Sequence, residues 1–574
     1  MKSCFRHLGF VCIILCASAA NAITLDREAF TFISYDLNVR VEPEQQRLAV
    51  RGKIVLRNDS QTPQKIAVLQ ISSSLDWRSI KAGDKPLQFV SQPYTSDIDH
   101  TGALSEAIVT LPDAVAPKAM IELEVAYEGV IVLDTTRLTR IGTPEAAANS
   151  SDWDQINARF TAVRGAGYVA WYPIAIEVAN LSEGNSLFEV LGRWKVREAR
   201  SSMEISLDYP SLPGDGTPII LCGGSEVQGA VVKSVPRKCR YQTLGSSVPA
   251  FVIADYKVVD QASAIVYHLA GHDAAALSYA DASEKAAPFI TEWFGAPKRK
   301  AETADLANPD AAPFESGSLL LAPLTNTDSK LAGLVAAHQL THAAFSSPRP
   351  WIDEGLAHFA QALYLEQQKG RQAALDYMGL HRAAFAETAN QTAAPRSEDE
   401  VNQALVNTTR EELYRSKAMC VWWMLRDMVG EPALKKALAA YHPEQDKEPS
   451  YMPRLIAAQT QRDLEWFFDD WVYRDRGLPD FRVASAFPRQ ILTEGYMVTI
   501  TVENLGGAGA EVPVTVRFKG GEVTKRLEVR AKSKGVIRVE VPRLAEEIVV
   551  NDGSVPESDV SNNTFKIVAG DASK

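Results

Sequence analysis

The sequence predicts a multidomain α+β fold in three parts: a β domain, an α/β layer running into a bundle of helices, and a closing β-sandwich. Three observations predict it. Apolar and polar residues alternate in short runs from about residue 24 to 245 and again after residue 479, the pattern of half-buried strands. From residue 328 to about 472 the apolar spacing changes to steps of three and four, the pattern of helices. At 574 residues the chain is longer than one hydrophobic core ordinarily serves.

Residues 1–22 read as a secretory signal: Lys2 and Arg6, an apolar run from Leu8 to Ala20, then the small-x-small site Ala20-Asn21-Ala22. The run is 13 residues long, short of the roughly 20 that a spanning helix needs. Lipidation at Cys16 would want a small residue before it and finds Leu15. The expectation is a mature chain from Ile23, exported to the periplasm or the extracellular space, with no membrane span after signal removal.

The β domain, 23–248, is expected from alternating runs at Tyr35 to Val41, Leu48 to Leu56, Ile121 to Tyr127 and Ser202 to Leu207. Its insert at about 134–165 contains Thr143 to Ser151, which reads as a surface loop. Cys222 and Cys239 close a short loop that an oxidising compartment would bridge, a link worth about 3 kcal/mol. Cys420, among Met419, Val421 and Trp422, reads as a buried thiol.

The central part, 249–478, opens with strands at Phe251 to Ile253 and Ala264 to Tyr267, a helix from Ser278 to Phe294 and a strand from Ser318 to Leu321. Helices come next. The last part, 479–574, alternates at Tyr496 to Val502, Val512 to Phe518, Thr524 to Val529 and Val536 to Val541, as a small sandwich does.

Composition excludes several classes. With 46% hydrophobic and 23% charged residues the chain is not disordered. Lys plus Arg number 60 against 71 Asp plus Glu, a net charge of −11, and no dense basic run occurs, so no nucleic-acid partner is expected.

The chemistry concentrates after residue 328. Leu331, Leu334, Val335, His338, His342 and Phe345 share one helical face, expected to be a buried stripe. A lone buried histidine is more often a satisfied core side chain, but two at i,i+4 bring imidazoles together as zinc requires. Beyond His342, Trp351-Ile352-Asp353-Glu354-Gly355-Leu356-Ala357 opens a second helix with Glu354 near its start, eleven residues separating His342 from Glu354. Glu354 there has two readings: a carboxylate favoured by the helix dipole, or the third ligand of a His-His-Glu zinc site with an open position. His358, four residues after Glu354, reads as an alternative ligand, a ligand's neighbour or an ordinary half-exposed helix histidine, and His268 and His272 receive no role.

These residues resemble the gluzincin metallopeptidases, particularly the membrane alanine aminopeptidase type (peptidase family M1), with its H-E-x-x-H and W-L-x-E-G-(F/L)-A motifs. Phe251 to Tyr256 is similar to the start of that family's catalytic domain, Phe314-Glu315-Ser316-Gly317-Ser318 stands where its G-x-M-E-N loop falls, and Leu413 to Ala418 is similar to its Y-x-K-G/A segment. The resemblance covers roughly residues 30 to 480. It implies an N-terminal β-saddle, a thermolysin-like catalytic domain and an Ig-like C-terminal sandwich. It further implies one zinc ion on His338, His342 and Glu354, an oxyanion-stabilising role for Tyr414, and Glu315 as anchor of a substrate α-amine, the substrates being peptides or protein termini. For Tyr414 the local pattern Thr408-x-x-Glu411 adds the expectation of a capping box starting its helix.

Gln339 departs from the pattern, standing where the motif has its glutamate. That glutamate takes a proton from the attacking water and returns it to the leaving amine, which an amide cannot do, and a positioned base is worth about 10²–10⁴-fold. The 11-residue gap, against 18 in the aminopeptidase pattern, and the missing Met and Asn beside Glu315 depart less. Two functions are expected from this: a zinc-binding relative with strongly reduced or absent hydrolysis, or an active peptidase using another group as base.

Overall fold

In this computed structural model the residues described are 25–183, 186–210, 218–226, 236–317, 319–326, 329–391, 404–474, 476–491 and 494–567. The signal reading of residues 1–22 lies outside them. Among the described residues the class is α+β, with six sheets and a central group of helices.

The β domain is built on Phe30–Glu42 and Arg47–Asn58, paired antiparallel around a short turn in which Gln46 takes φ 53°. Leu37, Val39 and Val41 are buried while Asn38 and Arg40 face out, so the period-two pattern does sort the two faces. Met120–Val130 flanks Arg47–Asn58, and Ser202–Asp208 runs parallel to Phe30–Glu42, completing an eight-stranded sheet. A three-stranded sheet of Gln64–Ser72, Ala103–Val115 and Phe89–Thr95 contributes Leu69, Ile71 and Val109 to the same core.

Two expectations fail in this region. The stretch read as a surface loop contains a helix, Glu145–Ser151, and the insert around it is anchored by the buried ion pairs Arg137–Asp152 and Arg164–Asp154. The domain is also not all-β, because Ser186–Glu198 is a helix with Leu187, Val190 and Trp194 buried at steps of three and four. That short stripe lies between strand-like runs, where period two dominates the surrounding pattern.

Cys222 and Cys239 are bonded, with Cα atoms 6.3 Å apart. Cys222 ends Ile219–Cys222, in a three-stranded sheet with Phe251–Ala254 and Phe160–Val163, and Cys239 lies in the eight-stranded sheet, so the bridge ties two sheets together. Cys420 is free and fully buried, and burial pushes its thiol up to about 12.

Next comes a five-stranded sheet in the order Lys257–Asp260, Ala264–His268, Ala301–Asp305, Leu319–Ala322, Phe314–Ser316. Its short last strand pairs antiparallel, Glu315 opposite Leu320, and turns back through Gly317 at φ 61°. The helices Asp273–Phe294 and Ser329–Ala344 pack on it, Pro350–Lys369 packs on Ser329–Ala344 and Ala418–Val429 on Pro350–Lys369, with Trp351, Trp422 and Trp423 wholly buried. One hydrophobic core continues from these helices into the closing sheets, through Trp471, Phe481 and Val514. Those sheets include Phe481–Gln490 and Ala545–Val550 in addition to the four expected strands. Among the described residues no helix is long and apolar enough to cross a membrane.

Candidate metal centre

The helix Ser329–Ala344 presents its histidine face to a cleft, not to the core. Leu331 is exposed and Val335 only partly covered, whereas Ala336, Ala337 and Leu340, on other faces, are buried. Of the expected buried stripe, Val335, His338 and His342 instead form, with Gln339, one wall of a cavity of about 390 Å³, while Leu334 and Phe345 pack into the core. Polar residues sit on this face because the cavity, and not packed hydrocarbon, surrounds them.

One helical turn sets the His338 and His342 rings 4.9 Å apart and their Nε2 atoms at 3.3 Å. The strand Phe314–Ser316 brings Glu315 over them, Oε2 at 3.0 Å from His338 Nε2 and Oε1 at 3.4 Å from His342 Nε2. Among the described residues, Glu315, His338 and His342 form a group whose ligand atoms all lie within 4.8 Å of one another. Burial alone would push Glu315 up, but the two histidines hold it below the usual carboxylate range; burial opposes and Glu315 raises the His338 imidazole in turn.

Glu354 stands in the same cleft with different partners. Arg415 Nε donates to its Oε2 at 3.2 Å and Ser246 Oγ to its Oε1 at 3.3 Å. Against the opposing effect of burial, Arg415 and then the two histidines hold its carboxyl well below the ordinary range. Thus the carboxylate brought onto the histidine pair is Glu315, whereas Glu354 is engaged by a guanidinium. Asp353 accepts from Ser347 N at 2.8 Å and from Ser246 Oγ at 3.2 Å, and its Oδ2 lies 3.7 Å from His342 Nδ1, behind the ring. Burial pushes the Asp353 carboxyl up to about 6.

Gln339 is buried beside the histidines and its Oε1 has no hydrogen-bond partner. His358 stacks edge-on to His338 at 5.0 Å and its Nδ1 is likewise unpartnered; burial, with His338 and Arg415 nearby, keeps it neutral, well below an ordinary imidazole.

Tyr414 is buried and its hydroxyl donates to Glu411 Oε1 at 3.1 Å; Glu411 and Arg415, not Tyr414, line the cavity. The capping box does not form. Thr408 Oγ1 accepts from Arg410 N at 3.2 Å in a tight local turn, and the Glu411 carboxylate turns to Tyr414, Arg415 and Lys195 instead. The six residues Glu412–Lys417 make a π-helical turn, a local departure from α-helical winding that sequence patterns do not show.

Sequence reasoning missed Arg415, Ser246 and Lys195. Arg415 follows Tyr414 directly, so a signal was present; Ser246 and Lys195 come from distant segments with none. His272, given no role, pairs its Nδ1 with Asp305 Oδ2 at 2.5 Å, away from the cavity.

No family model matches the chain, and no curated protein matches it.

Proposed function

We propose that the chain is an exported zinc-binding protein of the gluzincin metallopeptidase type, with a β-saddle, a thermolysin-like domain and an Ig-like sandwich, whose cleft receives peptides or protein termini and whose hydrolysis is strongly reduced or absent. One observation carries the metal reading. Ligand bonds of about 2.05 Å in a tetrahedral site imply donor separations of about 3.35 Å. The separations His338–His342, His338–Glu315 and His342–Glu315 are 3.3, 3.0 and 3.4 Å. Two imidazoles and a carboxylate also match zinc in chemistry.

Zinc held there would polarise a carbonyl and bring the pKa of water towards neutrality. The chain's own residues set the limits of that chemistry. His338 and His342 supply ring nitrogens, Asp353 stands behind His342, and Glu315 or Glu354 supplies the carboxylate. The buried Gln339 amide can orient a bound group through its free Oε1 but cannot take a proton. Glu315 held by two histidines is not free to anchor an α-amine, and the Tyr414 hydroxyl would have to leave Glu411 to reach an oxyanion. Peptide binding is therefore better supported than aminopeptidase action.

The test is a panel of aminoacyl and peptide substrates assayed with and without chelator, beside direct binding of the same peptides. Binding without turnover fits the proposal. Chelator-sensitive hydrolysis at ordinary enzyme rates would favour the active peptidase with another base.

A further inference from the structure

Of the carboxylates in the cleft, Glu315 lies on the histidine pair, whereas Glu354 is engaged by a guanidinium that competes with a metal ion for it. Arg415 reaches Glu354 from the π-helical turn, while its Nη1 donates to Glu411 Oε2 at 3.4 Å. Ser246 Oγ faces the other oxygen of Glu354, its single proton shared with Asp353. Glu354 is buried, with its side chain 8% exposed, so little water replaces these partners. We infer that Arg415 holds Glu354 back from the histidine pair and thereby sets the affinity of the centre for its metal ion, an inference that rests on the metal reading above.

The physical reason is competition for one charge. A carboxylate whose oxygen accepts from a guanidinium has its negative charge compensated locally, and a divalent ion must displace or share that partner before the carboxylate ligates it. Removing the guanidinium would free Glu354 as an additional ligand and would leave the cleft one unit more negative. Both effects strengthen cation binding. An alternative role predicts the opposite sign: if Arg415 merely oriented a ligating Glu354, its loss would weaken metal affinity by about 10–100-fold, as loss of a supporting partner usually does.

The experiment is competitive Zn²⁺ titration of the metal-stripped full chain against a chromophoric chelator, for the unmodified protein, Arg415→Ala, Arg415→Gln, Glu354→Gln and the double variant Arg415→Ala/Glu354→Gln. Arg415→Gln keeps most of the side-chain length should the alanine variant fold poorly. Both single Arg415 variants are expected to bind Zn²⁺ at least about tenfold more tightly, given the strength of charge interactions in a partly dry site. The gain should be much smaller when Arg415 is replaced in the Glu354→Gln background, where only the change in charge remains. Unchanged or weaker binding in the Arg415 variants overturns the inference, as does a gain of the same size in the Glu354→Gln background, while leaving the metal centre in place. If the unmodified chain shows no Zn²⁺ binding that His338→Ala abolishes, the metal reading itself falls, and the inference with it.

Discussion

His338 and His342 face each other with Nε2 atoms 3.3 Å apart, each opposite one oxygen of Glu315. Two ring nitrogens at that separation are bridged either by the proton of an N–H···N hydrogen bond or by a metal ion that both ligate. On the metal reading the protein should carry close to one zinc after dialysis, and His338→Ala or His342→Ala should lose it, measured by elemental analysis. Chelation should lower the melting temperature of the unmodified protein and leave the histidine variants unmoved, since a ligand at 100 times its Kd contributes about 2.7 kcal/mol.

Gln339→Glu should raise peptide hydrolysis by about 10²-fold or more, the usual worth of a positioned base. The position is buried in the cleft wall and its Oε1 is unpartnered, so a carboxylate fits without new volume. Full zinc occupancy without any gain in steady-state rate would mean that the cleft is shaped for binding alone.

Gly355→Ala should destabilise the protein although alanine is the better helix former. A Cβ at Gly355 would lie 2.6 Å from the Ala418 Cβ and 3.1 Å from Trp422 Nε1, forcing apart the helices that carry Glu354 and Arg415. Overpacking of this kind costs about 1–3 kcal/mol. Chemical denaturation would read the loss, and zinc affinity should change with it.

Glu198, wholly buried, has its carboxyl pushed up to about 7 by burial, against Arg197 and Ser201, which hydrogen-bond it. The folded state then keeps a proton that the unfolded chain releases near its ordinary value of about 4.3. This contribution to stability is complete below about pH 4.3 and is lost as pH rises towards 7, amounting to about 4 kcal/mol. Glu198→Gln should flatten that slope in urea denaturation followed from about pH 4.5 to 8. An unchanged slope would mean that another group carries it.

Much of this molecule was written locally. Period two in Tyr35 to Val41 and steps of three and four from residue 329 onward arise because each strand or helix needs one apolar face, and a single sequence displays that need. The i,i+4 placement of His338 and His342, and the amide of Gln339 between them, depend only on helical geometry and residue chemistry. The pairing of Cys222 with Cys239 was legible because few cysteines remain after residue 22.

The surroundings of the histidine pair were decided by tertiary structure alone. The face that carries it opens on a cavity, which no periodicity distinguishes from a buried stripe, since both are one-sided. Glu315 reaches the histidines because an edge strand folds back over their helix, and Glu354 meets Arg415 because a π-helical turn aims the guanidinium at it. Both carboxylates lie within reach of one small cleft. Which of them sits on the histidines is settled by competing charges some 60 to 100 residues apart in sequence, and such a balance has no local signature.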